Sequence, residues 1–162
     1  MKNHFKLEKI KIIIGIGNPG NKYEKTYHNV GLDFMDFIKK YDLSTKIYKS
    51  DCFMNKSGLC VKDVINKNGI KSKEVLIVQD DTDIEIGNFK ISFDRNSAGH
   101  NGIKSIIQEL GTKEFWRLRI GIRKEDEAYR SKAKNFVLNK INKDDEQVIN
   151  ETFIDIIEKL QE

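Results

Sequence analysis

Apolar and polar residues alternate along the chain in patterns that predict strands separated by helices. The apolar, β-branched segment from Ile10 to Ile16 is bounded by glycine, which indicates a buried strand. Residues 74–79, EVLIVQ, predict a second buried strand that ends in an acidic turn, DDTD. Residues 89–93 alternate apolar with polar side chains, as a half-buried strand does, and residues 116–123 show the same alternation.

Four other segments place their apolar residues at helical spacing. They are Val30 to Tyr41, Ser57 to Asn68 with Gly69 as its stop, Ile103 to Leu110 closed by Gly111, and Ile149 to Leu160. Strands interleaved with helices predict an α/β fold, with a mixed, mostly parallel twisted sheet flanked by helices. Because the sequence contains no repeats or linkers, we expect residues 1–162 to form a single domain.

Composition restricts the class of protein. Apolar residues make up 38% and charged residues 33%, which fits a globular protein and not a disordered one. No apolar run approaches the roughly 18 residues of a membrane span, and the start, MKNHFKLEKI, lacks a signal peptide's hydrophobic stretch. We therefore expect a cytoplasmic protein without a membrane partner. The net charge of +4 permits a polyanionic partner without proving one.

Metal ligands are scarce. Two cysteines, Cys52 and Cys60, are too few for a disulfide framework or a four-ligand zinc site. The histidines are three, His4, His28 and His100. We expect no metal.

Residues 15–20, GIGNPG, match the dinucleotide fingerprint G-x-G-x-x-G. In a dinucleotide site the third glycine lies in the first turn of a helix, whose N-terminus holds the pyrophosphate. Here NPGN is a turn sequence, and the apolar helical period starts only near Val30, after the segment NKYEKTYHNV. This context argues against a dinucleotide, and we expect no cofactor.

Polar residues follow both buried strands. His28 lies downstream of the first strand, and Asp80, Asp81 and Asp83 follow the second. If the strands are parallel, His28 and a carboxylate can share one edge of the sheet as a general base and its orienting acid. The alternative is that His28 caps a helix and the aspartates form a solvated turn.

Three asparagines, Asn18, Asn55 and Asn101, lie at strand ends or just before helices. Each side chain offers a donor and an acceptor. Any one of them alone is typical of a turn or a cap. Three together with a histidine indicate a polar pocket that recognises carbonyls and hydroxyls.

Five blocks carry a resemblance to a known family. In order they are IIIGIGNPGNKYEKTYHNVG (12–31), CFMNKSG (52–58), VQDDTDIEIG (78–87), AGHNGIKSIIQELG (98–111) and FWRLRIGI (115–122). The chain resembles the bacterial-type peptidyl-tRNA hydrolases, enzymes that cleave the ester between a peptide and the 3′-terminal ribose of tRNA. The resemblance implies that activity, with peptidyl-tRNA as partner and the enzyme a monomer. A non-catalytic RNA-binding relative is the alternative.

The resemblance also implies roles for the polar residues. His28 matches the catalytic base, and Asp80 matches the carboxylate that keeps it basic. Asn18 matches the asparagine that distinguishes a peptidyl group from a free aminoacyl amine. Asn55 and Asn101 match substrate-binding asparagines, and Asn55 is expected to donate to the oxyanion as well.

Further positions concern the tRNA. Tyr23 and Phe53 match residues that line the channel for the 3′ end, and Arg119 matches a basic residue that grips a phosphate. The second gripping position falls on Ser92, with Lys90 the nearest substitute.

The basic row of the last predicted strand, Arg117, Arg119 and Arg123, shares one face by alternation. Such a row is commonly a solvated sheet face, but the resemblance favours contact with the tRNA backbone.

The implied mechanism is attack by a water that neutral His28 deprotonates. Because it needs neither a covalent nucleophile nor a metal, Ser57 and Cys60 are interpreted as helix start and core. His100 is expected to support the site by hydrogen bonding rather than to catalyse.

The chain also departs from the family pattern. The segment between His28 and Asn55 is shorter than usual, Gln79 replaces a common histidine, and the lid RNSAGHNG has one glycine fewer.

Overall fold

A computed structural model describes residues 3–125 and 133–162, and one five-stranded sheet organises them. The strand order is β2-β1-β3-β5-β4, in which the first four strands are parallel and β4 is antiparallel to β5. The predicted mixed, mostly parallel sheet is therefore confirmed. The strands are β1 (Ile12–Gly15), β2 (Lys46–Lys49), β3 (Val75–Glu85), β4 (Phe89–Phe93) and β5 (Trp116–Arg123).

The four predicted helices are present. They and one short addition are α1 (Val30–Ile38), α2 (Ser57–Asn68), α3 (Asn101–Leu110), α4 (Ala133–Phe136) and α5 (Lys143–Gln161). Gly69 and Gly111 end α2 and α3, as predicted, and both adopt the left-handed conformation. None of the helices in the described ranges is long and apolar enough to cross a membrane.

The structure corrects three details. Residues 80–83 are not a turn, because β3 continues through them to Glu85 and pairs with β5 beyond the apolar segment. The edge strand β2 was not predicted, since its sequence KIYK carries too little apolar pattern. Tyr41 lies beyond the end of α1.

Two apolar cores enclose the sheet. One face packs against α1 and α5, with Phe34, Phe153 and Ile156 among its buried residues. The other face packs against α2 and α3. Both cores use residues of β1 and β3, because successive side chains of a strand point to opposite faces of the sheet. That residues 1–162 form a single domain stays a prediction.

The glycines of GIGNPG serve packing and turning. A Cβ at Gly15 would lie 2.6 Å from the carbonyl oxygen of Gly31, and a Cβ at Gly31 would lie 2.5 Å from that of Val78. Glycine thus lets the start of α1 approach β1 and β3. Gly20 has φ +100° and turns the chain. Close packing of α1 brings His28, just before the helix, to the carboxyl edge of the sheet.

Candidate active site

His28 and His100 both contact Asp80 at the carboxyl edge of the sheet. His28 Nδ1 lies 2.8 Å from Asp80 Oδ2, and His100 Nε2 lies 2.8 Å from Asp80 Oδ1. Asp80 is only 1% exposed. Since β1 and β3 are parallel, the expectation that His28 and a carboxylate share one edge is confirmed.

The hydrogen bonds assign the protons on both rings. His100 Nδ1 accepts from the backbone N–H of Ile103 at 3.3 Å, so its Nε2 carries the proton that it donates to Asp80. His28 Nδ1 likewise donates to the carboxylate. The lone pair of neutral His28 is therefore on Nε2, which bonds to no described residue.

The contacts shift the pKa values of Asp80 and His28 in opposite directions. Burial opposes ionisation of Asp80, but the two histidines outweigh it and hold the pKa of Asp80 well below its usual range. Burial alone would lower the pKa of His28, yet the charge and hydrogen bond of Asp80 raise it above the ordinary 6.5. Asp80 thus makes His28 a stronger base.

The same three groups could in principle hold a metal, since their ligand atoms lie within 4.8 Å of one another. An ion there would displace both protons that now point at Asp80. His100 cannot move its proton to Nδ1 without losing the bond from Ile103. Hydrogen bonds account for these contacts, and the absence of a metal stays a prediction.

Asn18 is held rigidly beside the histidine. Its Oδ1 accepts from the backbone N–H of Met54 at 2.7 Å, so its Nδ2 remains available to a ligand. The buried Asn29 fixes the Asn18 backbone, accepting from its N–H at 2.8 Å and donating to its carbonyl at 2.9 Å. The sequence analysis gave Asn29 no role.

Asn55 and Asn101 come together because α2 and α3 touch at small residues. The N–H of Gly58 donates to Ser105 Oγ at 2.9 Å, and a Cβ at Gly102 would lie 2.5 Å from Met54 Sδ. Both asparagine side chains are exposed and have no hydrogen bond to the described part of the chain. They are open donors and acceptors.

These groups line one cleft of about 560 Å³. Tyr23 and Phe53 also line it, and their rings meet edge-on with centroids 6.3 Å apart. The Phe53 side chain is 50% exposed. Val137 and Leu138 line it too, and the Val137 carbonyl accepts from the His28 N–H at 2.7 Å. Sequence reasoning missed these two, because no local pattern reveals a backbone contact between residues so far apart.

Cys52 and Cys60 form a disulfide at the end of the cleft that carries Phe53. Cys60 is buried in α2, as expected of a core residue, but it is covalently paired. Ser57 begins α2, as predicted, and its hydroxyl donates to the Met54 carbonyl.

The basic residues of β5 have different environments. Arg119 Nε donates to Asp81 Oδ2 at 2.7 Å, and exposed Lys90 faces Arg119 across the strand pair. Arg123 donates to the Asp83 carbonyl. Arg117 is only 2% exposed, so the prediction that it contacts tRNA backbone is wrong. Its side chain is covered because the loop after β4 lies over it.

Comparison with known proteins identifies the family. The model of the family described as peptidyl-tRNA hydrolase matches residues 12–162. A peptidyl-tRNA hydrolase of Mycoplasma mycoides is 37% identical, over 92% of this chain and 90% of the relative; one of Lactobacillus acidophilus is 38% identical, over 92% and 91%. The crystal structure of peptidyl-tRNA hydrolase from Acinetobacter baumannii superposes with a TM-score of 0.80 at 25% identity, covering 99% of this chain and 90% of that one. The chain therefore belongs to the peptidyl-tRNA hydrolase family.

Proposed function

We propose that this enzyme hydrolyses the ester between a peptide and the 3′-terminal ribose of peptidyl-tRNA, with His28 as general base. The names of the relatives support the substrate. The observation that carries the mechanism is the bond from His28 Nδ1 to Asp80, which leaves the Nε2 lone pair free at the cleft.

The reaction begins when His28 Nε2 takes a proton from water and the oxygen attacks the ester carbonyl carbon. The ionised Asp80 stabilises the imidazolium that forms, and Asn55 donates to the developing oxyanion. The carbon–oxygen bond to the ribose then breaks, and the imidazolium returns its proton to the 3′ oxygen. No covalent intermediate with the enzyme is needed.

Recognition in this proposal uses the remaining cleft residues. The Nδ2 amide of Asn18 and the open amide of Asn101 contact the peptide and ester carbonyls. Tyr23 and Phe53 pack against the 3′ end of the tRNA. Arg119 and Lys90 lie outside the cleft, beyond Asp81, where they contact phosphate. His100 supports Asp80. We further propose that the enzyme acts in the cytoplasm as a monomer.

The test is hydrolysis of an N-acetylated aminoacyl-tRNA by the purified protein. We expect turnover by the wild type, and a loss of at least about 10²-fold in kcat for His28→Ala with substrate binding retained. His4→Ala is the matched control, because His4 is exposed and does not line the cleft. Binding of the substrate without turnover would instead identify a non-catalytic RNA-binding relative.

A further inference from the structure

Arg117 is a cation buried in the interior of the protein. Among residues 3–125 and 133–162, no carboxylate lies within ion-pair distance of its guanidinium. Burial lowers the pKa of Arg117 to about 10. A buried charge that lacks a counter-ion is costly and must be held by hydrogen bonds. Because phosphate cannot reach this side chain, its role has to be found in the contacts that it makes inside the protein.

The guanidinium joins two parts of the chain. Its Nη1 donates to the backbone carbonyls of Arg95, at 3.3 Å, and Asn96, at 2.8 Å. Its Nε donates to Gln79 Oε1 at 2.7 Å. The first two contacts hold the loop of residues 94–100, and the third holds β3.

Gln79 continues this chain of bonds to the reaction centre. Its side chain is buried, and its Nε2 donates to the backbone carbonyl of Asp80 at 2.9 Å. That bond fixes the orientation of the amide, so Oε1 faces Arg117. The loop is thereby linked to the residue whose carboxylate orients His28.

The far end of the loop returns to the same aspartate. Ala98 and Gly99 adopt positive φ angles of 50° and 83°, and the His100 N–H donates to the Ser97 carbonyl at 3.0 Å. This turn directs His100 Nε2 at Asp80 Oδ1. Residues 94–96, 98 and 99 are exposed, so polar contacts rather than apolar packing hold the loop.

We propose that Arg117 and Gln79 are a positioning pair that clamps the 94–100 loop to β3 and so places His100 and Asn101 at the cleft. Neither residue of the pair takes part in the chemistry. The kinetic effect of the pair rests on the proposed function. Without it, His100 would leave Asp80 for part of the time, and Asn101, the next residue, would lose its fixed position at the start of α3.

The experiment compares Arg117→Met, which removes all three bonds, with Arg117→Lys, which keeps the charge and can bond only some of the same oxygens. We expect kcat/KM to fall roughly tenfold or more for Arg117→Met and less for Arg117→Lys. The nitrogen resonances of the His100 ring report its bond to Asp80. We expect them to broaden or shift in Arg117→Met.

Two controls separate positioning from stability. Ile156→Val trims the core beneath α5, away from the cleft, and should lower the melting temperature without changing kcat/KM or the His100 resonances. The double variant Arg117→Met with Gln79→Leu pairs two apolar side chains. Its melting temperature should be higher than that of Arg117→Met, but its kcat/KM should stay low. If Arg117→Met fails to fold, the double variant tests the positioning role in its place.

Two results are distinguishable. A folded Arg117→Met or double variant with wild-type kcat/KM and unchanged His100 resonances would overturn the positioning pair. If the wild type itself hydrolysed no peptidyl-tRNA, the proposed function would fail, while the His100 resonances would still decide whether the pair holds the loop.

Discussion

The two sides of the cleft are built differently. On one side, Asp80 uses both carboxylate oxygens for two histidines, and the bond of each ring to the carboxylate fixes its tautomer. On the other side, Asn55 and Asn101 are exposed and have no hydrogen bond to the described residues. The first arrangement is completed before substrate arrives, as electrostatic preorganisation requires. The second is left for substrate to complete. Substitutions on the first side should therefore change kcat and its pH dependence, and those on the second should leave folding intact.

Among substitutions that leave the proposed base His28 in place, the largest effect is expected for Asp80→Asn. An asparagine offers one acceptor and one donor, so one of the two histidine N–H groups would face another donor. We expect kcat to fall by about 10⁴-fold, as it does when the orienting aspartate of a Ser-His-Asp triad is replaced, with a much smaller change in KM. Steady-state kinetics with an N-acetylated aminoacyl-tRNA measures both. If kcat were unchanged and a rise in KM alone lowered kcat/KM by the same factor, the proposed difference between the two sides of the cleft would be wrong.

Asp80→Asn should also reverse the direction in which the pKa of His28 is shifted. In the wild type Asp80 raises the pKa of His28 above 6.5, so kcat/KM should fall as the pH drops through a value above 6.5. Without the carboxylate, burial is the main effect left, and it lowers the pKa of His28. We expect the acid limb of the residual activity to move below pH 6.5. An unmoved limb would show that another group governs it.

The free energy of unfolding should depend on pH through the shifted pKa values of His28 and Asp80. Because the pKa of His28 is raised on folding, protonated His28 contributes stability that is fully present below its unfolded pKa, near 6.5. That contribution is lost as the pH rises through the folded pKa. For Asp80 the folded pKa is lowered, so its contribution is present above about 3.8 and is lost as the pH falls through the folded value.

Alanine substitutions of the three asparagines should have effects of intermediate size that differ from one another. Asn55→Ala should lower kcat by about 10²-fold if its amide donates to the oxyanion. Asn101→Ala should mainly raise KM, by up to about tenfold, the value of one hydrogen bond. Neither should lower the melting temperature, because neither side chain bonds within the described protein.

Asn18→Ala is the comparison for these two variants. It also removes the acceptor for the Met54 N–H, so it should cost about 1 kcal/mol of unfolding free energy in addition to activity. Thermal denaturation of the three variants side by side checks this. A loss of stability in Asn55→Ala equal to that in Asn18→Ala would show that Asn55 is not an open group.

The sequence could predict the histidine side better than the rest of the cleft. Parallel strands carry their following residues to one edge, so the juxtaposition of His28 and Asp80 follows from two apolar segments and their order. The Val137 carbonyl that accepts from the His28 N–H carries no sequence signal, since any residue offers a carbonyl. Arg117 was wrongly predicted to contact the tRNA backbone, because period-two alternation gives the face of a strand but not what covers that face.

The smallest effect concerns the proposed phosphate contact of Arg119, outside the cleft and beyond Asp81. Salt screens phosphate contacts, so KM should rise between about 50 and about 200 mM salt, and Arg119→Gln should flatten the slope of log KM against log salt by about one. The substitution also frees Asp81, whose unpaired charge then repels phosphate, so KM at low salt should rise further than the lost contact alone requires. Lys159→Gln, on the last turn of α5 and outside the cleft, should leave the slope unchanged. A KM that stays flat with salt in the wild type would mean that the open side binds the 3′ end without the tRNA backbone, and the cleft alone would then account for recognition.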